Sequence, residues 1–127
     1  MTILALDHVN VRTANLDAMI AWYGTILGMT PGPRPDFDDL GGAWLYSGED
    51  PIVHLVRTEA QPEAGGDVTL EHFALRATGL AGLRAKLDKI GAAYELVRVP
   101  GLDIVQVNVH DPDGNHIHVD YNSAEMD

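Results

Sequence analysis

A displacement of 64 residues maps this chain onto itself. The segment DHVNVRT (7–13) falls on EHFALRA (71–77), so that His8 meets His72, Val9 meets Phe73, Val11 meets Leu75 and Arg12 meets Arg76. The same shift lays VHLV (53–56) on IHVD (117–120), pairing His54 with His118, and it also pairs Leu16 with Leu80. The helix ends need a one-residue offset. Repetition at a fixed period constrains architecture before any local reading does, because one supersecondary unit must then be built twice.

The unit itself follows from periodicity. ILALDHVNVRT alternates as a strand from about Ile3 to Arg12, with Val9 and Val11 on one face and His8, Asn10 and Arg12 on the other. Asn15 then stands as a helix N-cap and Gly28 as its stop, while Leu16, Met19, Ile20, Tyr23 and Leu27 recur at spacings of three and four. The Pro- and Gly-rich stretch MTPGPRPDFDDLGG supports at most a short edge strand and a loop. Its Phe37–Leu40 part reads as surface loop, with a lid over a cavity as the alternative. AWLYSG and PIVHLVRT are two further strands joined by a turn. The second copy reads likewise: strand VTLEHFALRAT, a helix ending at Gly91, then AYELVRVP, LDIVQVNVH and NHIHVDYN. The last two are linked by DPDG, a type I turn. The expected class is therefore α+β, with one βαβββ module over 1–58, a polar linker at 59–67 and a second module over 68–127.

Composition removes several functions. With 19 Asp+Glu against 8 Lys+Arg, the net charge of −11 opposes binding to a phosphate backbone, so no nucleic-acid partner is expected. The same charge weighs against strongly anionic substrates such as coenzyme A thioesters and favours cationic ligands. No cysteine is present, which excludes disulfides, thiol nucleophiles and thiolate-bound metals. No apolar run approaches 18 residues and the opening MTILALDHVN lacks a basic leader region, so a soluble, cytoplasmic chain with no membrane partner is expected. No phosphate-cradling loop or Ser-centred nucleophile elbow is found. DPDGN lacks the spacing of a calcium loop.

Histidine carries the chemistry. Four of the six, His8, His54, His72 and His118, obey the repeat, one on the first and one on the last strand of each module. Facing residues on adjacent strands have Cβ atoms roughly 4.5–5.5 Å apart, a spacing from which two imidazoles reach one ion. Neutral imidazole suits a divalent transition metal, Zn²⁺, Ni²⁺, Fe²⁺, Co²⁺ or Cu²⁺, rather than Mg²⁺ or Ca²⁺. If the two sheets face each other, both pairs close around one ion. His110 and His116 have Tyr46 and Ile52 as their counterparts and read as turn-flanking residues that share parity with a candidate ligand.

Taken together, DHVNVRTANLDAMIAWYGTILGM, IVHLV, EHFALRA and VNVHDPDGNHIHVD resemble the vicinal oxygen chelate superfamily of glyoxalase I, methylmalonyl-CoA epimerase, extradiol dioxygenases, and fosfomycin- and bleomycin-resistance proteins. The resemblance spans nearly the whole chain. It implies two tandem βαβββ modules forming an eight-stranded, open barrel-like cavity flanked by helices, often in a homodimer, with a small-molecule substrate. It also implies His8, His54, His72 and His118 as metal ligands.

In the resembled enzymes at least one last-strand position carries Glu or Gln, whereas His54 and His118 stand here. Without a carboxylate ligand the usual base for abstracting a proton alpha to a carbonyl is missing, so plain glyoxalase I chemistry is not expected. An all-nitrogen set leaves the ion's charge uncompensated and favours anionic oxygen ligands. Lyase, isomerase and dioxygenase reactions stay open. Asp120, which shares parity with His118, and His110 are the candidate catalytic groups, with His116 a rival base; Glu71 and Asp7 are expected on the opposite face. Arg12, Trp44, Tyr46, Arg76 and Asn108 share the ligand parity and are candidate substrate contacts. A metal-free module that sequesters a small molecule, similar to bleomycin-resistance proteins, is the alternative.

Overall fold

A computed structural model describes residues 1–36 and 39–127. Phe37 and Asp38, on which the lid reading falls, lie outside the described residues. The chain divides into two compact units, Met1–Glu63 and Ala64–Asp127. Each is a βαβββ module, and the two supply two four-stranded sheets with no closed barrel among the described residues.

In the first unit β1 (Val9–Thr13) leads into α1 (Leu16–Thr25), followed by β2 (Thr30–Gly32), β3 (Gly42–Ser47) and β4 (Asp50–Arg57). The sheet order is β1-β4-β3-β2, with β1 parallel to β4 and the other pairs antiparallel. The second unit repeats this with β5 (His72–Arg76), α2 (Leu80–Lys89), β6 (Glu95–Arg98), β7 (Ile104–His110) and β8 (His116–Asn122), in the order β5-β8-β7-β6.

The apolar periodicity explains the packing. Leu16, Met19 and Tyr23 of α1 are buried, as are Leu45, Val53 and Leu55 of its sheet. In the second unit the buried set is Leu80, Leu83 and Leu87 of α2 with Val105, Val107, Val109, Ile117, Val119 and Tyr121. Strand alternation then leaves Gln106, Asn108, His110, His116, His118 and Asp120 on the opposite, less buried face. Both helices end on a left-handed glycine. Gly28 has φ 71° and Gly91 φ 66°, and the next N–H returns to the Tyr23 or Leu87 carbonyl at 3.0 Å.

Two local expectations need correction. The first strands of both modules begin later than the alternation predicts, at Val9 and at His72. The β1–β4 ladder starts only at Val9–Val53 and the β5–β8 ladder at His72–His116, so the preceding residues have no ladder partner among the described residues. Ile3, Leu4, Leu6 and Leu70 are accordingly exposed. Asn15 occupies the N-cap position but makes no side-chain cap bond, and Thr13 Oγ1 instead accepts from the Asn15 N–H at 2.9 Å.

The tight turn before β8 is built on the buried Asp111. One of its oxygens accepts from the Asp113 and Asn115 N–H groups, each at 3.0 Å, and the other from Asn115 Nδ2 at 2.9 Å. At the chain end a short 3-10 turn, Ser123–Met126, brings Glu125 Oε1 to 2.9 Å from the N–H groups of Gly79 and Leu80. That places an anionic cap at the start of α2, where the free N–H groups and the helix dipole favour it.

Candidate metal centre

In the first unit His54 sits at the centre of β4, flanked in register by Asn10 and Trp44. His54 is 8% exposed, and its ring is sandwiched between His8 (centroids 3.8 Å apart, planes 10° apart) and Trp44 (4.1 Å, 13°). His54 Nε2 lies 2.9 Å from the Pro51 carbonyl. A carbonyl only accepts, so Nε2 carries the hydrogen and Nδ1 holds the lone pair. Burial, and secondarily the charge of His8, pushes the His54 pKa down, opposed by the bond to Pro51. His8, the residue before β1, sets Nδ1 2.7 Å from an Asp7 carboxylate oxygen.

The second unit is richer. Register places His72, His116 and His110 side by side across β5, β8 and β7, and one step along it places Ala74, His118 and Asn108. His72 and His118 stack at 3.9 Å with planes 15° apart, and His116 meets His118 edge-on at 4.7 Å. One ring nitrogen from each of His72, His116 and His118 lies within 4.8 Å of the other two. His110 is exposed and stacks on His116 at 5.0 Å.

A carboxylate organises the group. Glu71 Oε1 accepts from His116 Nδ1 at 2.7 Å, and Oε2 accepts from His72 Nδ1. These bonds, that from His72 foremost, hold the Glu71 carboxyl below its ordinary range. His116 Nε2 is 2.9 Å from Asn108 Oδ1. His118 has its pKa pushed down by burial first and by His72 and His116 next, while Asp120 and Glu71 oppose the shift. Both causes favour the neutral, metal-ligating form of its imidazole. Asp120 Oδ1 is buried with no hydrogen-bond partner among the described residues.

Measured against expectation, Trp44 joins its histidine directly, and Asn108 reaches the group through His116. Tyr46 instead turns its hydroxyl to the Pro33 carbonyl at 2.6 Å, next to an irregularity in the β3–β4 register. Arg12 and Arg76 are exposed. Glu71 and Asp7 were expected to face away, yet both reach imidazoles, because they precede the ladders and are not bound to strand alternation. His116 is the residue that the repeat obscures, since its counterpart is Ile52. The signal for it is its parity with His118 and its place opposite His72.

The donor set fits a divalent transition metal. Three imidazole nitrogens converge, and a carboxylate fixes two of the rings through Nδ1, the arrangement that orients histidine ligands and raises their basicity.

Two βαβββ modules, each with a histidine at or just before its leading strand and another on its closing strand, define a recognisable class of small α+β protein. The chain belongs to the Glyoxalase/Bleomycin resistance protein/Dioxygenase superfamily, whose family model matches residues 5–119. Glyoxylase I 4 of Arabidopsis thaliana is 30% identical over 122 residues, covering 91% of this chain and 69% of that protein. Among solved structures, the glyoxylase/bleomycin resistance protein/dioxygenase domain from Frankia sp. EAN1pec is similar, with a TM-score of 0.78, 20% identity, and 95% and 93% of the two chains covered. The trypanothione-dependent glyoxalase I of Leishmania major gives a TM-score of 0.73 at 21% identity, covering 98% and 91%. At those identities the likeness establishes the fold.

Proposed function

We propose that this protein is a metal-dependent enzyme that binds a small substrate through neighbouring oxygens, with lyase, isomerase or dioxygenase chemistry. The observation that supports the reading is the stacking of His72 on His118, 3.9 Å apart, at two of the positions that ligate metal in resembling enzymes. A divalent ion bound there supplies Lewis acidity, which stabilises negative charge on a substrate oxygen. The chain's own groups supply the rest. Glu71 orients imidazoles, Asn108 offers a side-chain amide beside them, and Asp120 carries a buried, unpartnered oxygen on the face of His118 that can take a proton. His110, exposed beside His116, is the second proton-carrying group.

The test is elemental analysis of untagged protein after reconstitution with Zn²⁺, Ni²⁺, Fe²⁺, Co²⁺ and Cu²⁺ in turn. About one equivalent of at least one ion is expected, and less than about 0.1 equivalent of each overturns the proposal.

The His8–His54–Trp44 stack favours a second reading, a module that sequesters a flat cationic ligand. Ligand-induced thermal stabilisation that persists in excess chelator would select it over the first.

A further inference from the structure

We propose that the second module alone forms a metal site of three histidines, His72, His116 and His118, in which Glu71 is the positioning residue. The inference rests on the metal-dependent reading above and departs from the four repeat-related histidines that the sequence singles out.

Three observations carry it. The ligands come from two hydrogen-bonded strands, since His116 lies opposite His72 in the parallel β5–β8 ladder and His118 follows two residues later on the same face. One ring nitrogen from each already lies within 4.8 Å of the other two. Three nitrogens at about 2.1 Å from one tetrahedral ion are about 3.4 Å apart, so side-chain movements of up to about 1.4 Å close the set. Glu71 accepts a bond from Nδ1 of both His72 and His116, which leaves the Nε2 atoms of those rings as the ligating positions. At His116 an ion takes the place of the hydrogen bond to Asn108.

The first module lacks the equivalent. Ile52 stands where His116 stands, so among the described residues the stacked pair His8–His54 has no third imidazole beside it. Three protein nitrogens leave coordination positions open, as catalytic sites do and closed structural sites do not.

The experiment is a chelator-competition titration of Co²⁺ into the full chain, with the visible Co²⁺ spectrum as a second readout. His116→Ile, which installs the residue found at the repeat-related position, is expected to weaken binding by on the order of 100-fold and to change the spectrum. His8→Ala and His54→Ala are expected to leave affinity within about threefold and the spectrum unchanged. In the unmutated protein, three histidines with paramagnetically shifted ring N–H resonances are expected in the Co²⁺ form. Unchanged binding by His116→Ile, or equal losses in His8→Ala and His54→Ala, overturns the three-histidine site while leaving metal dependence standing. A parent protein that binds no Co²⁺ or any other tested ion overturns the functional reading and this inference together. Should His116→Ile not fold, the count of shifted resonances in the parent decides.

Discussion

Glu71 and His116 are 45 residues apart in the chain, yet a Glu71 carboxylate oxygen lies 2.7 Å from the His116 Nδ1. The parallel β5–β8 pairing makes this contact possible, because it lays the residue preceding one strand beside the first residue of the other. Since the second oxygen of Glu71 serves His72, one carboxylate sets the ring orientation of two imidazoles.

Replacing Glu71 with Gln breaks that double role. The amide keeps one acceptor and turns an NH₂ group toward the other Nδ1–H. Metal affinity is expected to fall by about 10- to 100-fold while the fold is retained. Chelator competition alongside far-ultraviolet circular dichroism checks this, and unchanged affinity would remove Glu71 from the site.

Acid is expected to destabilise the metal-free protein through His54 and His118, whose pKa values burial pushes below 6.5. Above that value both states carry neutral rings and nothing is lost. As pH falls through it, the unfolded chain takes up protons that the folded chain resists, so stability declines. Glu71, held below 4.5, contributes stability that disappears only at still lower pH. Thermal melts in chelator should be flat from about pH 8 to 7 and fall steadily below about pH 6.5. A midpoint that rises on acidification would contradict the assignment.

Removing the metal should lower the melting temperature. An ion present at about 100 times its dissociation constant stabilises by about 2.7 kcal/mol, provided that it binds the folded chain alone. Calorimetry of the Zn²⁺-loaded and chelator-treated forms measures the difference, which His118→Ala should abolish.

Glu125→Ala deletes the acceptor shared by the Gly79 and Leu80 N–H groups. A loss of about 1 kcal/mol is expected, since a helix start without its side-chain acceptor is penalised by that order. Urea unfolding should show the shift with no change in metal affinity.

Ile117, fully buried, lies between His116 and His118 and points to the other face of the sheet. Ile117→Ala should destabilise by about 2–5 kcal/mol, the range for truncating a core aliphatic residue. Its unfolding midpoint in urea tests that range.

The fold was readable because duplication and alternation are chain-local. The register of His8 on His72 and His54 on His118 implied two modules, and the i, i+3, i+4 apolar residues of both helices are the ones buried. Strand starts were less readable, since the alternation at Ile3–Leu6 gives no sign that a ladder partner is missing. Trp44 was legible from parity as a neighbour of His54, but His116 was not legible from repetition. A duplicated pattern highlights what the copies share, and His116 is where they differ. Glu71 was misjudged for another reason: parity fixes directions only inside a paired strand, and Glu71 lies one residue outside.

The Asp111 turn has a bearing on how this protein can vary over time. Its three hydrogen bonds fix the number of residues between β7 and β8, and with it the alignment of His116 on His110 and of His118 on Asn108. A deletion or insertion of one residue there would exchange the faces of β8, swinging both histidines inward and Ile117 and Val119 outward. Most surface loops tolerate length changes; this hairpin acts as a gauge, and descendants of this sequence are free to change its letters far more than its count.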